Sequence, residues 1–244
     1  MPRLSQHQIA LITKHLANHK SLNFIKLLTG IGKTTIYYYM KKRNGKSIPE
    51  VTINTSNLEL IGEIVGIFAG DGNYYYDSSK WETKIRFYFN EKETLLSDYY
   101  FERLFLFANK RPFDYNGKSV RIFEFKSKKI GTFLKEYLSW TGKKGYTIHL
   151  SKPALCKNKK FALGFLRGLL DSDGYVRKGR KEIYFGSVSI ALADDFCRCL
   201  DTFHLPYVRY IQKRVKYADF HKVRLSGNSV DSFLIRIKPL KGYV

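Results

Sequence analysis

The chain has 244 residues, with 43 Lys and Arg against 21 Asp and Glu, for a formal charge of +22. Its 44% hydrophobic content, including 18 Phe and 18 Tyr, supports a sizeable core and excludes a disordered basic tail, which is depleted in aromatics. No apolar run approaches the ~18 residues of a transmembrane helix, the N-terminus lacks a signal-peptide core, and Cys156, Cys197 and Cys199 form neither a CxxC pair nor a disulfide framework. These features predict an intracellular protein whose partner is a polyanion. Nucleic acid is favoured, because Lys and Arg gain affinity by displacing counterions from phosphates.

Residues 1 to 44 read as helical. Ile9, Ile12 and Leu16 recur at helical spacing, "SLNFIKLL" offers a second helix with Ser21 as N-cap, "TGIG" breaks it, and "KTTIYYYMKKR" resumes a third. Helix, glycine turn, helix is the layout of a helix-turn-helix. Lys33, Thr34, Thr35, Tyr37, Tyr38 and Lys41 on its last helix are candidate DNA contacts. A plain helical hairpin capping the rest is the bland alternative. "TGIGKTT" superficially matches a phosphate-binding P-loop, but that motif needs Gly at position 27, which is Leu27, and no strand precedes it. The polar stretch 45–57 is the natural linker. A helix-like apolar segment follows, then short alternating strands and helices such as "KETLLSDYYFERLFLFANK" and "KKIGTFLKEYLSW".

That plan recurs. "LIGEIVGIFAGDGNY" (60–74) aligns with "ALGFLRGLLDSDGYV" (162–176) at an offset of 102, placing Gly62 on Gly164, Gly66 on Gly168, Asp71 on Asp173 and Gly72 on Gly174. Such a register predicts a duplicated unit. Gly62, Gly66 and Gly70 share one helix face, as do Gly164, Gly168 and Ser172, so the two helices can approach backbone to backbone. Their C-terminal ends then lie side by side, with Asp71 close to Asp173. Two carboxylates at helix C-termini are unfavourable, since the dipole there is already negative and like charges repel. A divalent cation bound between them relieves that cost, and magnesium facing a phosphate backbone fits. Asp-Gly after one helix is an ordinary turn signal; two in register point to a site.

"LRGLLDSDG" (166–174) and "IVGIFAGDG" (64–72) resemble the two motif copies of the single-chain LAGLIDADG homing endonuclease family. The resemblance covers roughly residues 58 to 244. It implies an α+β fold of two pseudo-symmetric αββαββα halves, 58–150 and 151–244, whose sheets form a DNA-binding saddle, beside the small all-α domain of residues 1–44. It further implies a monomer that cuts both strands of a long asymmetric duplex site across the minor groove, leaving 3′ overhangs. By the same resemblance Asp71 and Asp173 bind Mg2+ with help from the carbonyls of Gly70 and Ser172. Mn2+ would substitute, and Ca2+ would bind without supporting cleavage. Lys92 after the second strand and Lys126 after the fourth sit at positions that polarise solvent, with Ser187 and Arg224 in roughly corresponding places. One departure is visible: the motif's first acid is Ala69 in copy one and Asp171 in copy two. No histidine lies near either Asp-Gly end in the sequence, so no dedicated histidine base is evident; water activated by metal needs none.

The strands carry their own signal. In "KIRFYFN", Lys84, Arg86, Tyr88 and Asn90 fall on one face, and Ile85, Phe87 and Phe89 on the other. "YVRYIQKR" puts Arg209 with Lys213, and "KVRLS" puts Lys222 with Arg224; Arg177 follows the second motif directly. A face of Arg, Lys, Tyr and Asn suits base edges in the major groove, although solvated antiparallel sheets alternate this way in any case. The competing class is a non-cleaving DNA-binding regulator or RNA maturase on the same scaffold. A nucleotide-dependent enzyme built on "GIGKTT" is the third.

Overall fold

A computed structural model describes residues 4–18, 20–44, 51–79, 81–215 and 217–242. The chain divides into two units, Met1–Glu50 and Val51–Val244. In the first, α1 (Gln6–Ala17) starts at a capping box: the Ser5 hydroxyl accepts from Gln8 N at 3.2 Å while Ser5 N donates to the Gln8 side chain at 2.9 Å. Ser21 caps α2 (Leu22–Thr29), which stops at Gly30 with φ 66°, a left-handed conformation that glycine adopts without penalty. The chain then turns into α3 (Lys33–Asn44). Ile12, Ile25, Ile31 and Ile36 close a small core among the three helices, so "TGIG" breaks the helix for the reason its glycine suggested.

The second unit begins before its first helix. Val51 is buried, Thr52 N donates to Ala108 O and Asn54 N to Phe107 O, so this part of the stretch read as linker is pinned to the larger unit. The order is then α4 (Leu58–Asp71), β1 (Gly72–Asp77), β2 (Glu82–Asn90), α5 (Thr94–Ala108), β3 (Phe113–Asn116), β4 (Val120–Lys126) and α6 (Lys128–Tyr137). A connection of β5 (Leu138–Ser139), α7 (Lys144–Thr147), β6 (His149–Leu150) and the 3-10 turn Pro153–Lys157 follows. Next come α8 (Lys159–Asp173), β7 (Gly174–Arg177), β8 (Glu182–Ser187), α9 (Ile190–Thr202), β9 (Val208–Gln212), β10 (Phe220–Ser226), α10 (Asn228–Ile237) and a 3-10 turn Leu240–Gly242. Each half is therefore αββαββα, with an antiparallel sheet ordered β1-β2-β4-β3 or β7-β8-β10-β9. Gly72 pairs with Phe87 and Gly174 with Phe185, so each sheet leaves its motif helix in the same register.

The motif helices form the spine of this unit. Apart from Glu59 and Glu63, the body of α4 is apolar around its whole circumference, the pattern of a helix enclosed by protein, and its residues Leu60 to Ala69 are buried. The glycine stripes meet as the spacing requires. A methyl group at Gly62 would come within 2.9 Å of Phe165 N, and one at Gly66 within 3.0 Å of Leu169 N; at Gly164 and Gly168 it would lie 2.7 Å from Glu63 N and 2.6 Å from Ile67 N. Backbone thus faces backbone along both helices. One charged group breaks the pseudo-symmetry. Glu63, fully buried on α4, accepts from Arg103 Nε of α5 at 2.9 Å and pairs with Arg167 of α8 at 3.4 Å, and Arg167 also reaches Glu59 at 2.9 Å and Ile237 O at 2.8 Å. A buried carboxylate needs such partners, and here they tie the two halves together.

Candidate active site and nucleic-acid interface

The helix pair ends where its glycine faces direct it. A Cβ on Gly70 would touch Ser172 Cβ at 2.5 Å and Asp173 Oδ2 at 2.9 Å, so the ends of α4 and α8 abut and the second aspartate leans over the first helix. Asp71 and Asp173 are the last residues of their helices. Burial pushes the Asp71 carboxyl up to about 6, with the neighbouring Asp173 charge adding to it and Lys241 and Lys144 opposing. Asp173 is also raised, by burial, against the pull of Lys144 and Lys241. Asp71 is thus half-buried beside the like charge of Asp173, which stays exposed at the end of its own helix; a raised carboxyl next to a second one is the arrangement expected of a functional pair.

Two lysines that the sequence reading did not select complete the site. Lys144 Nζ donates to the carbonyls of Phe68, Ala69 and Gly70 at 2.7, 2.8 and 3.0 Å, capping α4. Lys241 Nζ donates to Ser172 O at 2.6 Å, capping α8. A cation at a helix C-terminus satisfies orphan carbonyls and offsets the dipole; here it also offsets a carboxylate. Burial lowers Lys144 to about 8 despite the nearby Asp173 and Asp71. A signal for this pair exists in the sequence: Lys144-Gly145-Tyr146 and Lys241-Gly242-Tyr243 repeat after the last helix of each half.

Two carboxylates with adjacent main-chain oxygens form the hard oxygen donor set that suits Mg2+. Among the described residues no group of three or more His, Cys, Asp and Glu converges, so such an ion would complete its shell with water and phosphate, as Mg2+ commonly does. The carbonyls of Gly70 and Ser172, expected as further ligands, accept from the two ammonium groups; those oxygens are already cation sites.

The raised carboxyl has a consequence for stability. Its folded value near 6 exceeds the ordinary 3.8, so the native state takes up the Asp71 proton more readily than the unfolded chain between those values. The stability this group contributes is present at low pH and is lost as pH rises through about 6. Asp71→Asn is therefore expected to melt at a higher temperature than wild type at pH 7.5 in chelator, with the advantage shrinking towards pH 5. Equal melting temperatures across that range would contradict the assignment.

The other expected site residues separate. Lys92 is exposed in the turn after β2, at the end of the sheet nearest Asp71, and the neighbouring Glu93 contributes to raising Asp71. Lys126 is not brought to the aspartates. It pairs with Lys84, three residues along β2 from the Phe87 opposite Gly72, or about 10 Å, and binds Glu82 at 3.2 Å. β4 runs away from the motif helices, and its last residue goes with it. In the second half, Ser187 lines a cavity of about 320 Å³ together with Gly70, Asp173, Arg214 and Phe220. Arg214, another basic group the sequence reading passed over, is fixed there by Ala218 O at 3.0 Å and by the Phe220 ring.

The sheet face reads largely as its alternation suggests. In β2, Ile85, Phe87 and Phe89 are buried while Lys84, Arg86, Tyr88 and Asn90 lie on the opposite, partly open face. Arg86 is held by Glu124 at 2.6 Å, and Glu124 also accepts from the Tyr115 hydroxyl at 3.1 Å. In the second half Arg177, Lys222 and Arg224 share the face of Tyr184, and Glu182 lies 3.8 Å from Arg177 and 3.6 Å from Arg224. Arg177, Lys222 and Tyr184 line a cavity of about 440 Å³ with Asp173 at its edge. Arg209 departs from the expectation: it stands opposite buried Val223 and pairs with Asp194 of α9, which puts it on the helix side of the sheet. Lys213 lies past the end of β9 and is tied to Asp219 at 2.6 Å.

In the first unit Lys33, Thr34, Tyr37 and Tyr38 are exposed along α3, and Thr35 is half-buried beside them. The side chain of Lys41 lies outside the described residues. Among the described residues no helix is long and apolar enough to cross a membrane.

Residues 160–238 match the family described as a LAGLIDADG-like domain. No curated protein sequence matches the chain. Among solved structures, I-DmoI in complex with DNA and Mn is similar with a TM-score of 0.59 at 15% identity, covering 75% of this chain and 97% of that one. I-WcaI, a homing endonuclease bound to its DNA recognition sequence, is similar at a TM-score of 0.51 and 12% identity, over 87% of this chain and 92% of that one. The N-terminal LAGLIDADG domain of DUF199/WhiA aligns at 0.50 and 17% identity, over 77% and 86%. At these identities the likeness is one of fold, and the paired αββαββα halves are that fold.

Proposed function

We propose that this chain, a LAGLIDADG protein by the domain in residues 160–238 and by its fold, is a site-specific double-strand DNA endonuclease. The observation that carries the reading is the meeting of Asp71 and Asp173 at the ends of glycine-paired helices, in a protein of net charge +22. Few structural needs place two like charges together at two negative helix ends; a shared cation facing phosphate does. A divalent ion bound there, Mg2+ with Mn2+ as substitute and Ca2+ as a non-productive occupant, would supply activation of water and charge neutralisation at the leaving oxygen.

The chain's own residues divide the remaining work. Asp71 and Asp173 would hold the cation, and the carbonyls of Gly70 and Ser172 would join its shell only on release from the Lys144 and Lys241 ammonium groups. Lys144 and Lys241 offset the acidic charge and order the solvent from which a nucleophile is drawn, one at each helix end. Arg214 stands over the cavity beside Asp173, where a phosphate oxygen would lie. Lys84, Arg86, Tyr88 and Asn90 in one sheet, and Arg177, Lys222 and Arg224 in the other, face the duplex and read base edges. Both halves are present in one chain, so a monomer acts on a long asymmetric site and cuts across the minor groove to leave 3′ overhangs. The helix-turn-helix of residues 1–44 adds a further duplex contact through Lys33, Thr34, Thr35, Tyr37, Tyr38 and Lys41.

One observation favours a second reading. The ammonium groups of Lys144 and Lys241 already occupy main-chain oxygens beside the aspartates, so the cluster is partly charge-balanced as it stands, and a DNA-binding regulator or maturase could keep it as a structural ion network. Incubation with a randomised duplex library in Mg2+, followed by sequencing of cut ends, separates the two. Cleavage at one long site with 3′ overhangs, absent in Ca2+, is expected. Selective retention of DNA without cut ends would overturn the endonuclease reading and favour the second.

A further inference from the structure

The two site lysines are presented by different means. Lys144 lies in a loop closed by its own small sheet, Leu138 pairing with Leu150 and Ser139 with His149. The loop is stapled again by Thr147, whose hydroxyl accepts from Thr141 N at 3.0 Å and donates to Thr141 O at 2.7 Å. Lys241 lies in the three-residue 3-10 turn Leu240–Gly242, which follows α10 and has no strand of its own among the described residues. Leu240 packs on the core, but the backbone of Lys241 itself needs a polar anchor.

That anchor is the acid by which the two motif copies differ. Asp171 is buried at 1% exposure. One of its carboxylate oxygens accepts from the backbone N–H of Lys241 at 3.1 Å, and the other from the Tyr100 hydroxyl of α5 at 3.0 Å. We infer that Asp171 is a positioning residue that anchors the Leu240–Gly242 turn, so that the Lys241 ammonium reaches Ser172 O beside Asp173, with Tyr100 of the other half orienting its carboxylate. The asymmetry follows. The first copy carries Ala69 at the equivalent position because the lysine that serves it is already fixed by the β5–β6 closure and Thr147. A buried carboxylate is costly unless each oxygen is satisfied, and both oxygens of Asp171 are satisfied, one by the group that orients it and one by the turn that it places. The positioning does not depend on what the site does; its effect on strand cutting rests on the endonuclease reading.

A test that needs neither metal nor DNA is lysine accessibility. A trace pulse of acetic anhydride on the chelator-treated protein, read by peptide mass spectrometry, reports the reactivity of each ammonium group. In wild type, Lys144 and Lys241 are both expected to react slowly. In Asp171→Ala, Lys241 is expected to react several-fold faster while Lys144 is unchanged. Asp171→Asn keeps an oxygen that accepts from Lys241 N and should restore the protection. Asp171→Leu fills the volume with an apolar group, a replacement that buried ionic sites often tolerate, and so carries the test should the alanine variant fail to fold. Unchanged Lys241 reactivity in a folded Asp171→Ala or Asp171→Leu protein would overturn the inference. Loss of protection at Lys144 to the same degree would also overturn it, since that marks general loosening.

Discussion

Gly164→Ala is expected to destabilise the larger unit by about 3 kcal/mol or more, at the upper end of the usual cost of overpacking. The added methyl would overlap the Glu59 carbonyl oxygen and lie 2.7 Å from Glu63 N and 2.9 Å from Glu59 C. All three are backbone atoms of α4, so no rotamer change relieves the overlap; α4 and α8 must move apart. At ~2–4 °C per kcal/mol for a domain of this size, a loss on the order of 10 °C in Tm follows. Gly179→Ala is the matched control: nothing lies within 4 Å of a Cβ there, and a change within ~0.5 kcal/mol is typical of such surface positions. Urea unfolding of both variants checks the pair. A cost below 1 kcal/mol at Gly164 would mean that the helices do not meet through this face. The same separation draws the ends of α4 and α8 apart, so the glycine stripe determines both the stability of the unit and the spacing of its aspartates.

That stripe was readable without coordinates, because a spacing of four is a property of the helix itself, and the offset of 102 repeats it with both aspartates in register. The face of β2 was readable for a similar reason: Ile85, Phe87 and Phe89 declare which side is buried. β9 makes no such declaration. Every residue from Val208 to Gln212 is exposed, so alternation alone does not say which way Arg209 points; pairing with Val223 does, and it points to α9. Lys126 was misplaced by strand direction, which a single segment does not reveal. Lys144 and Lys241 were missed because they reach the aspartates through closure of the whole half, 73 and 68 residues after Asp71 and Asp173. Only the repeated Lys-Gly-Tyr marked them, and a tripeptide gains meaning once the duplication is known.

Asp173→Asn is expected to abolish double-strand cleavage while leaving duplex binding nearly intact. The substitution preserves shape and removes one charge where an acidic pair, both carboxyls raised by burial and Asp71 further by the Asp173 charge, would share a cation. Losing such a ligand forfeits several kcal/mol of transition-state stabilisation, and at 1.36 kcal/mol per tenfold the rate falls by about a thousandfold or more. Binding should persist because most affinity for a duplex comes from phosphate contacts made by Lys and Arg along the sheets, and loss of a negative group beside the backbone does not weaken those. Asp71→Asn should behave alike, since the two residues hold equivalent ends of one helix pair. Cleavage rate and equilibrium retention of a selected target, measured side by side in Mg2+, give the test. If either variant cut both strands at more than a tenth of the wild-type rate, the shared-cation site would be refuted, and the two aspartates would belong to the ion network with Lys144 and Lys241. Rates lost in step with DNA retention would indicate a binding role instead. Loss of cutting with retention preserved is the result that a paired-helix site, placed by glycines and balanced by lysines, requires.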